Sequence, residues 1–199
     1  MYTAAALIYL MRKQRDAVGL TLFSDEIEFH ASPRISSVNA ELMYGKMSEL
    51  VKPENAHLRK STNTTEVLHQ IAENIHKRSL VILFSDMIDS SKTDELFSAL
   101  QHLRYNKHEV ILFHVTDHLQ EREFNFSNRP HKFIDLETGQ SMKLNPWDVK
   151  DRYISSVKSY FDDLKVKCGQ YQIDLAEADI NKDFKDVLLA YLVKRKQLF

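Results

Sequence analysis

Apolar residues along this chain switch between two periods. Ala4, Leu7, Ile8 and Met11 fall at helical spacing, which predicts an amphipathic helix over residues 3–13. Residues 17–23 (AVGLTLF) are almost all apolar, as in a strand covered on both faces. Ser24-Asp25 makes a turn, and Ile27 and Phe29 then alternate with Glu26, Glu28 and His30 in the pattern of a half-buried edge strand. Together these segments predict an antiparallel hairpin at a sheet edge. The next two apolar stripes predict helices. One covers 37–51, with Val38, Leu42, Met43, Met47, Leu50 and Val51 on one side and Pro53 as its stop. The other covers 64–77, carried by Val67, Leu68, Ile71 and Ile75.

Residues 80–84 and 109–115 read as buried strands on either side of a helix at 92–105, which is carried by Leu96, Phe97, Leu100 and Leu103. The polar stretch 117–131 reads as a surface loop. Segments 132–135 and 141–144 flank Glu137-Thr138-Gly139-Gln140 and predict a hairpin. Asn145 and Pro146 supply a cap and first turn for a helix running to about Lys167, with Val149, Tyr153, Val157, Tyr160 and Leu164 inward. Trp147 and the helix tyrosines sit at core spacing. Tyr171, Ile173 and Leu175 alternate as an outer strand does, and a last helix over 183–196 buries Phe184, Val187, Leu188 and Tyr191. Helices alternating with apolar strands predict an α/β fold with a mostly parallel sheet covered on both faces. Ligands of such sheets sit at the carboxyl ends of the strands, where Asp25, Asp86 and Asp117 fall.

Composition narrows the class. The chain has 199 residues, 43% apolar and 28% charged, with a formal net charge of −1. That balance argues against nucleic-acid wrapping and against a polybasic membrane patch. Cys168 is the only cysteine, which excludes an internal disulfide and a cysteine-rich zinc site and makes a reducing, cytoplasmic setting the expectation. No apolar run is long enough to span a bilayer.

The apolar run LVILFS ends at Asp86, with Asp89 three residues on. Two roles fit a carboxylate there. It can cap the helix that follows, or it can ligate a hard cation such as Mg²⁺ through oxygen. In RKSTNTTEV (59–67), Ser61, Thr62, Thr64 and Thr65 precede a helix, where a hydroxyl can cap the helix or reach a metal. The nine histidines are scattered: His114 and His118 straddle a strand end, and His69 and His76 lie seven apart on a helix. None has the H-E-x-x-H context of a zinc site, and no P-loop, G-x-G-x-x-G or G-x-S-x-G is present.

DAVGLTLFSDEI (16–27), STNTTEVLHQIAENIHKRSLVILFSDMID (61–89), HEVILFHVTD (108–117), FIDLETG (133–139) and DVLLAYLVKR (186–195) carry a resemblance over essentially the whole chain. It resembles the carboxyl-terminal part of the bacterial family called domain of unknown function fifty-eight. The resemblance implies a Rossmann-like, von Willebrand factor type A-like domain with a metal-ion-dependent adhesion site. Such a site draws on Asp-x-Ser-x-Ser after the first strand, a threonine in a Gly-Thr-Asp/Asn loop and an aspartate after the fourth strand. Ser61-Thr62-Asn63 matches the threonine loop, with Ser61 in place of glycine, so Thr62 carries over, and Asp86 matches the aspartate.

No Asp-x-Ser-x-Ser occurs in the chain. The resemblance places it just before Met1, which then reads as an internal methionine of a longer chain. The expected architecture is a single truncated domain over 1–199 with its central first strand missing, a hairpin insertion at about 131–144 and a C-terminal helix-strand-helix. With that strand absent, two apolar strands lose a neighbour, and the chain alone is expected to be unstable or to distort its sheet. The implied function is a non-enzymatic protein-interaction module. Mg²⁺ on Thr62, Asp86 and the absent serines would leave a position for a partner's carboxylate. The expected partner is a MoxR-type AAA+ ATPase or its client, in the assembly or maturation of protein complexes, and metal binding by this chain is expected to be weak. Two alternatives stand beside it: a hydrolase or phosphotransfer enzyme using Asp86 with Asp89 or Asp25, and a fragment without function.

Overall fold

The computed structural model describes residues 1–24, 26–52, 64–76, 78–86, 93–134 and 140–197. They form two compact units, Met1–Ile75 and His76–Phe199. Among the described residues no helix is long and apolar enough to cross a membrane.

The first unit opens with helix α1 (Tyr2–Lys13), followed by strands β1 (Val18–Phe23) and β2 (Ile27–Arg34) and helices α2 (Ser37–Leu50) and α3 (Thr64–Asn74). As the sequence predicts, β1 and β2 pair antiparallel. The ladder is irregular between Val18 and Leu20, and Gly19 lies at that point. A Cβ on Gly19 would come within 2.6 Å of the Ala31 carbonyl oxygen and 3.0 Å of Pro33. The close approach of two backbones therefore requires glycine here. Ser36 caps α2 by accepting the Asn39 N–H at 3.3 Å. The Asn39 amide in turn donates to the Val18 carbonyl at 3.1 Å, tying the helix start to β1.

The core of this unit is Ile8, Ala31, Ala40, Met43 and Met47, packed with Val18, Leu20 and Phe29. The α2 stripe differs from the expected one. Ala40, Met43 and Met47 form the buried face, whereas Val38 is 73% exposed and Leu42, Leu50 and Val51 are also exposed. Apolar residues lie on both sides of this helix, so periodicity alone picks out too wide a face.

The second unit is built on a three-stranded parallel sheet, β3 (Leu80–Ser85), β4 (Glu109–Thr116) and β7 (Asp174–Asp179), in the order β3-β4-β7. Helix α4 (Thr93–Tyr105) follows β3 and packs on β4, burying Leu96, Phe97, Leu100 and Leu103 as its spacing predicts. The central strand is the most buried: Val110, Ile111, Leu112 and Phe113 are all at 1% exposure or less. Successive side chains of β4 point to opposite faces. Phe113 meets Tyr191 of helix α6 (Phe184–Gln197) at 5.3 Å, and His114 meets Phe161 of helix α5 (Pro146–Gln170) at 4.7 Å. The sheet is thus covered on both faces.

The stretch 117–131 is more structured than its polarity suggests. It opens with a π-helical turn, His118–Arg122. Phe124 then adopts a left-handed φ of 47° and is only 8% exposed. Its ring packs against Phe126, Phe133 and Tyr153, with the nearest centroid at 4.3 Å. A bulky residue at positive φ carries strain that the aromatic cluster offsets. The predicted hairpin is present as β5 (His131–Ile134) and β6 (Ser141–Leu144).

Two further expectations are corrected. Trp147 is 62% exposed: it lies in the first turn of α5, capped by Asn145, and does not enter the core. The outer strand starts later than the apolar alternation suggests, because α5 runs to Gln170, Tyr171 caps it, and Gln172 takes φ 54°. Its small residues Ala176 and Ala178 gave too weak an apolar signal.

Two outcomes test this packing. Gly19→Ala is expected to cost about 1–3 kcal/mol, read as a fall in stability on chemical denaturation, because the new Cβ meets backbone that cannot move aside. The second concerns His108, which is fully buried, with Nδ1 accepting the Ser79 N–H at 3.2 Å. Burial lowers its pKa below the ordinary value. The unfolded chain therefore takes up this proton first as pH falls. Stability is expected to be full above about pH 6.5 and to decline as pH drops from there toward the lowered folded value. His108→Asn, which keeps an acceptor for Ser79, should flatten that decline in thermal melts.

Candidate functional site

The parallel register aligns the carboxyl ends of the second unit's strands. Ser85 pairs with His114 and Thr116 with Asp179, so Asp86, Asp117 and Asp179 come at the ends of β3, β4 and β7. Three equivalent positions have different partners.

Asp117 is a structural carboxylate. Its Oδ1 accepts the Gln120 N–H at 3.1 Å, which caps the π-helical turn, and the Asn181 side-chain amide at 2.8 Å. Asp179 is its counterpart. Its Oδ1 accepts the backbone N–H of Asn181 at 3.0 Å, the Asn181 amide at 3.2 Å and the His118 N–H at 3.4 Å. Slight burial acts to raise the Asp179 pKa, but the N–H donors of Asn181 and His118 outweigh it and the pKa is lowered. Asn181 thus clasps two strand ends together. Its amide saturates oxygens that would otherwise repel each other.

Asp86 differs. It follows β3 directly and its residue is exposed, while its backbone carbonyl accepts from His114 Nε2 at 2.7 Å. An exposed residue whose backbone is anchored in this way can offer its carboxylate to a cation. Thr62, the other expected ligand, lies outside the described residues, as do Ser61, Asp25 and Asp89. Among the described residues no group of three or more His, Cys, Asp or Glu is arranged to hold a metal ion.

Sequence reasoning missed Glu121. Its Oε2 accepts the Asp117 N–H at 3.2 Å, and its pKa is raised by burial and by the charges of Asp117 and Asp86. Burial and the Glu121 charge also raise Tyr153. Glu121 therefore shares the electrostatic environment of Asp86. The signal lay in the Asp-x-x-x-Glu spacing from Asp117, but only the π-helical turn brings its carboxylate back to the Asp117 N–H. Cys168 offers no nucleophile here. It is buried in α5, and burial pushes its thiol up to about 11.

Asn181→Ala is expected to loosen the clasp. Faster amide hydrogen exchange at Gln120 and Asn181, with little change in the β4 core, would show it. Unchanged exchange at both would mean the bonds carry no weight.

Comparison with known proteins adds one finding. No curated protein and no solved structure matches the chain. The model of the family described as Protein of unknown function DUF58 matches residues 1–159, most of the chain, and the protein belongs to that family.

Proposed function

We propose that this chain is part of a von Willebrand factor type A-like interaction domain whose cation site is centred on Asp86. The observation that carries this reading is the contrast at the three strand ends. Asp117 and Asp179 are occupied by N–H donors, while the Asp86 residue is exposed and held through its carbonyl. Asp86 would ligate Mg²⁺, and the family resemblance implies Thr62 and the hydroxyls of an Asp-x-Ser-x-Ser segment, which these 199 residues do not contain, as its further ligands. The ion would bridge Asp86 to a carboxylate on a partner protein, two anionic groups that otherwise repel. A MoxR-type AAA+ ATPase or its client is the partner we favour, in complex assembly or maturation, on the strength of the family resemblance.

A further strand beside β3 belongs to the same proposal. β3 (LVILFS) is wholly apolar but for its last residue, yet among the described residues it pairs with β4 alone. Its side chains are mostly half-buried, whereas those of β4 are mostly buried. An apolar edge without charges or proline is a pairing surface that folded proteins cover.

Calorimetric titration with Mg²⁺ tests the site. Weak binding that Asp86→Asn abolishes is expected. Full retention of binding in that variant would contradict the reading. Turnover of a phosphate ester, lost in the same variant, would replace it with the hydrolase reading.

A further inference from the structure

His114 sits two residues before the end of β4 and is 1% exposed. Its Nε2 lies 2.7 Å from the Asp86 carbonyl oxygen. A carbonyl only accepts, so Nε2 carries the hydrogen and Nδ1 is bare. Nδ1 is also buried and, among the described residues, has no hydrogen-bond partner. A leucine or phenylalanine at this position would pack against Phe161 without burying an unpaired nitrogen. Packing therefore does not account for an imidazole here. The bond to Asp86 does.

The ring is also held from behind. Phe161 meets it edge-on at 4.7 Å, 67° from its plane. The Arg122 guanidinium lies over Phe161 at 3.8 Å from the ring centroid. Glu177 of β7 pairs with Arg122 and with Lys165, each at 3.4 Å. A column thus runs from Arg122 in the π-helical turn, through Phe161 of α5, to His114 of β4 and the end of β3.

We infer that His114 is the positioning residue of the Asp86 site: it fixes the backbone from which the Asp86 carboxylate reaches a cation, and the Phe161–Arg122 stack fixes His114. This rests on the proposed cation role of Asp86 and adds to it the residue that sets its geometry. Partners outside a metal's own ligands set ligand direction, and their loss typically weakens binding about 10- to 100-fold.

The test compares the full chain with His114→Leu and His114→Gln. Gln offers an amide N–H near the place of Nε2; Leu offers none. Two readouts are needed: the affinity for Mg²⁺ alone, and the carbonyl ¹³C resonance of Asp86. The leucine variant is expected to lose at least about tenfold in Mg²⁺ affinity and to shift that resonance, with glutamine restoring most of both. Equal affinity and an unmoved resonance in the leucine variant would overturn the inference. If the wild-type chain binds no Mg²⁺, the cation reading fails, and the Asp86 resonance alone decides whether His114 positions it. If the leucine variant does not fold, the ¹⁵N shifts of the wild-type ring decide. They are expected to show hydrogen on Nε2 and none on Nδ1. Hydrogen on Nδ1 with a bare Nε2 would exclude the bond to Asp86 and overturn the assignment.

Discussion

The second unit depends on the pairing of β4 along both of its edges. A strand with neighbours on each side satisfies its backbone polar groups within the sheet, which allows its side chains to be buried almost completely. The parallel register then leaves no choice about where the chain emerges. β3, β4 and β7 all deliver an aspartate to the same end of the sheet. That crowding of like charge needs an answer, and each strand end has its own. Asn181 and the first N–H groups of the π-helical turn settle Asp117 and Asp179, while His114 takes only the backbone of Asp86.

Carboxylates at equivalent positions can therefore differ in availability. Asp117 and Asp179 accept backbone and amide donors and are committed to the fold. Glu121 lies between these classes. It accepts the Asp117 N–H, yet burial raises its pKa and the charges of Asp117 and Asp86 add to that shift. On the proposed reading, a cation at Asp86 would offset part of that shift.

Much of the fold was legible because its signals are local. The stripe of Leu96, Phe97, Leu100 and Leu103 and the runs ending at Asp86 and Asp117 state their structure within a few residues. The α2 helix was harder, because Val38 and Leu42 are apolar without being buried. The π-helical turn and the Phe124 cluster were hidden because a left-handed residue breaks the spacing on which periodicity depends. At the site, Asp86 was legible as a strand end. The commitment of Asp117 was not, since the amide that claims it comes from Asn181, 64 residues away. His114 was visible only as a histidine near a strand end. Its role follows from which carbonyl its ring reaches.

The proposed function requires a cation to bind at Asp86 in preference to the other acidic positions of the chain. Paramagnetic broadening by Mn²⁺ in place of Mg²⁺, read residue by residue on the ¹⁵N-labelled chain, locates even weak binding. Broadening is expected to centre on Asp86 and the end of β3, to reach Glu121 and His114, and to disappear in Asp86→Asn. Broadening centred instead on an acidic pair such as Asp162 and Asp163 of α5, and unchanged in that variant, would contradict it.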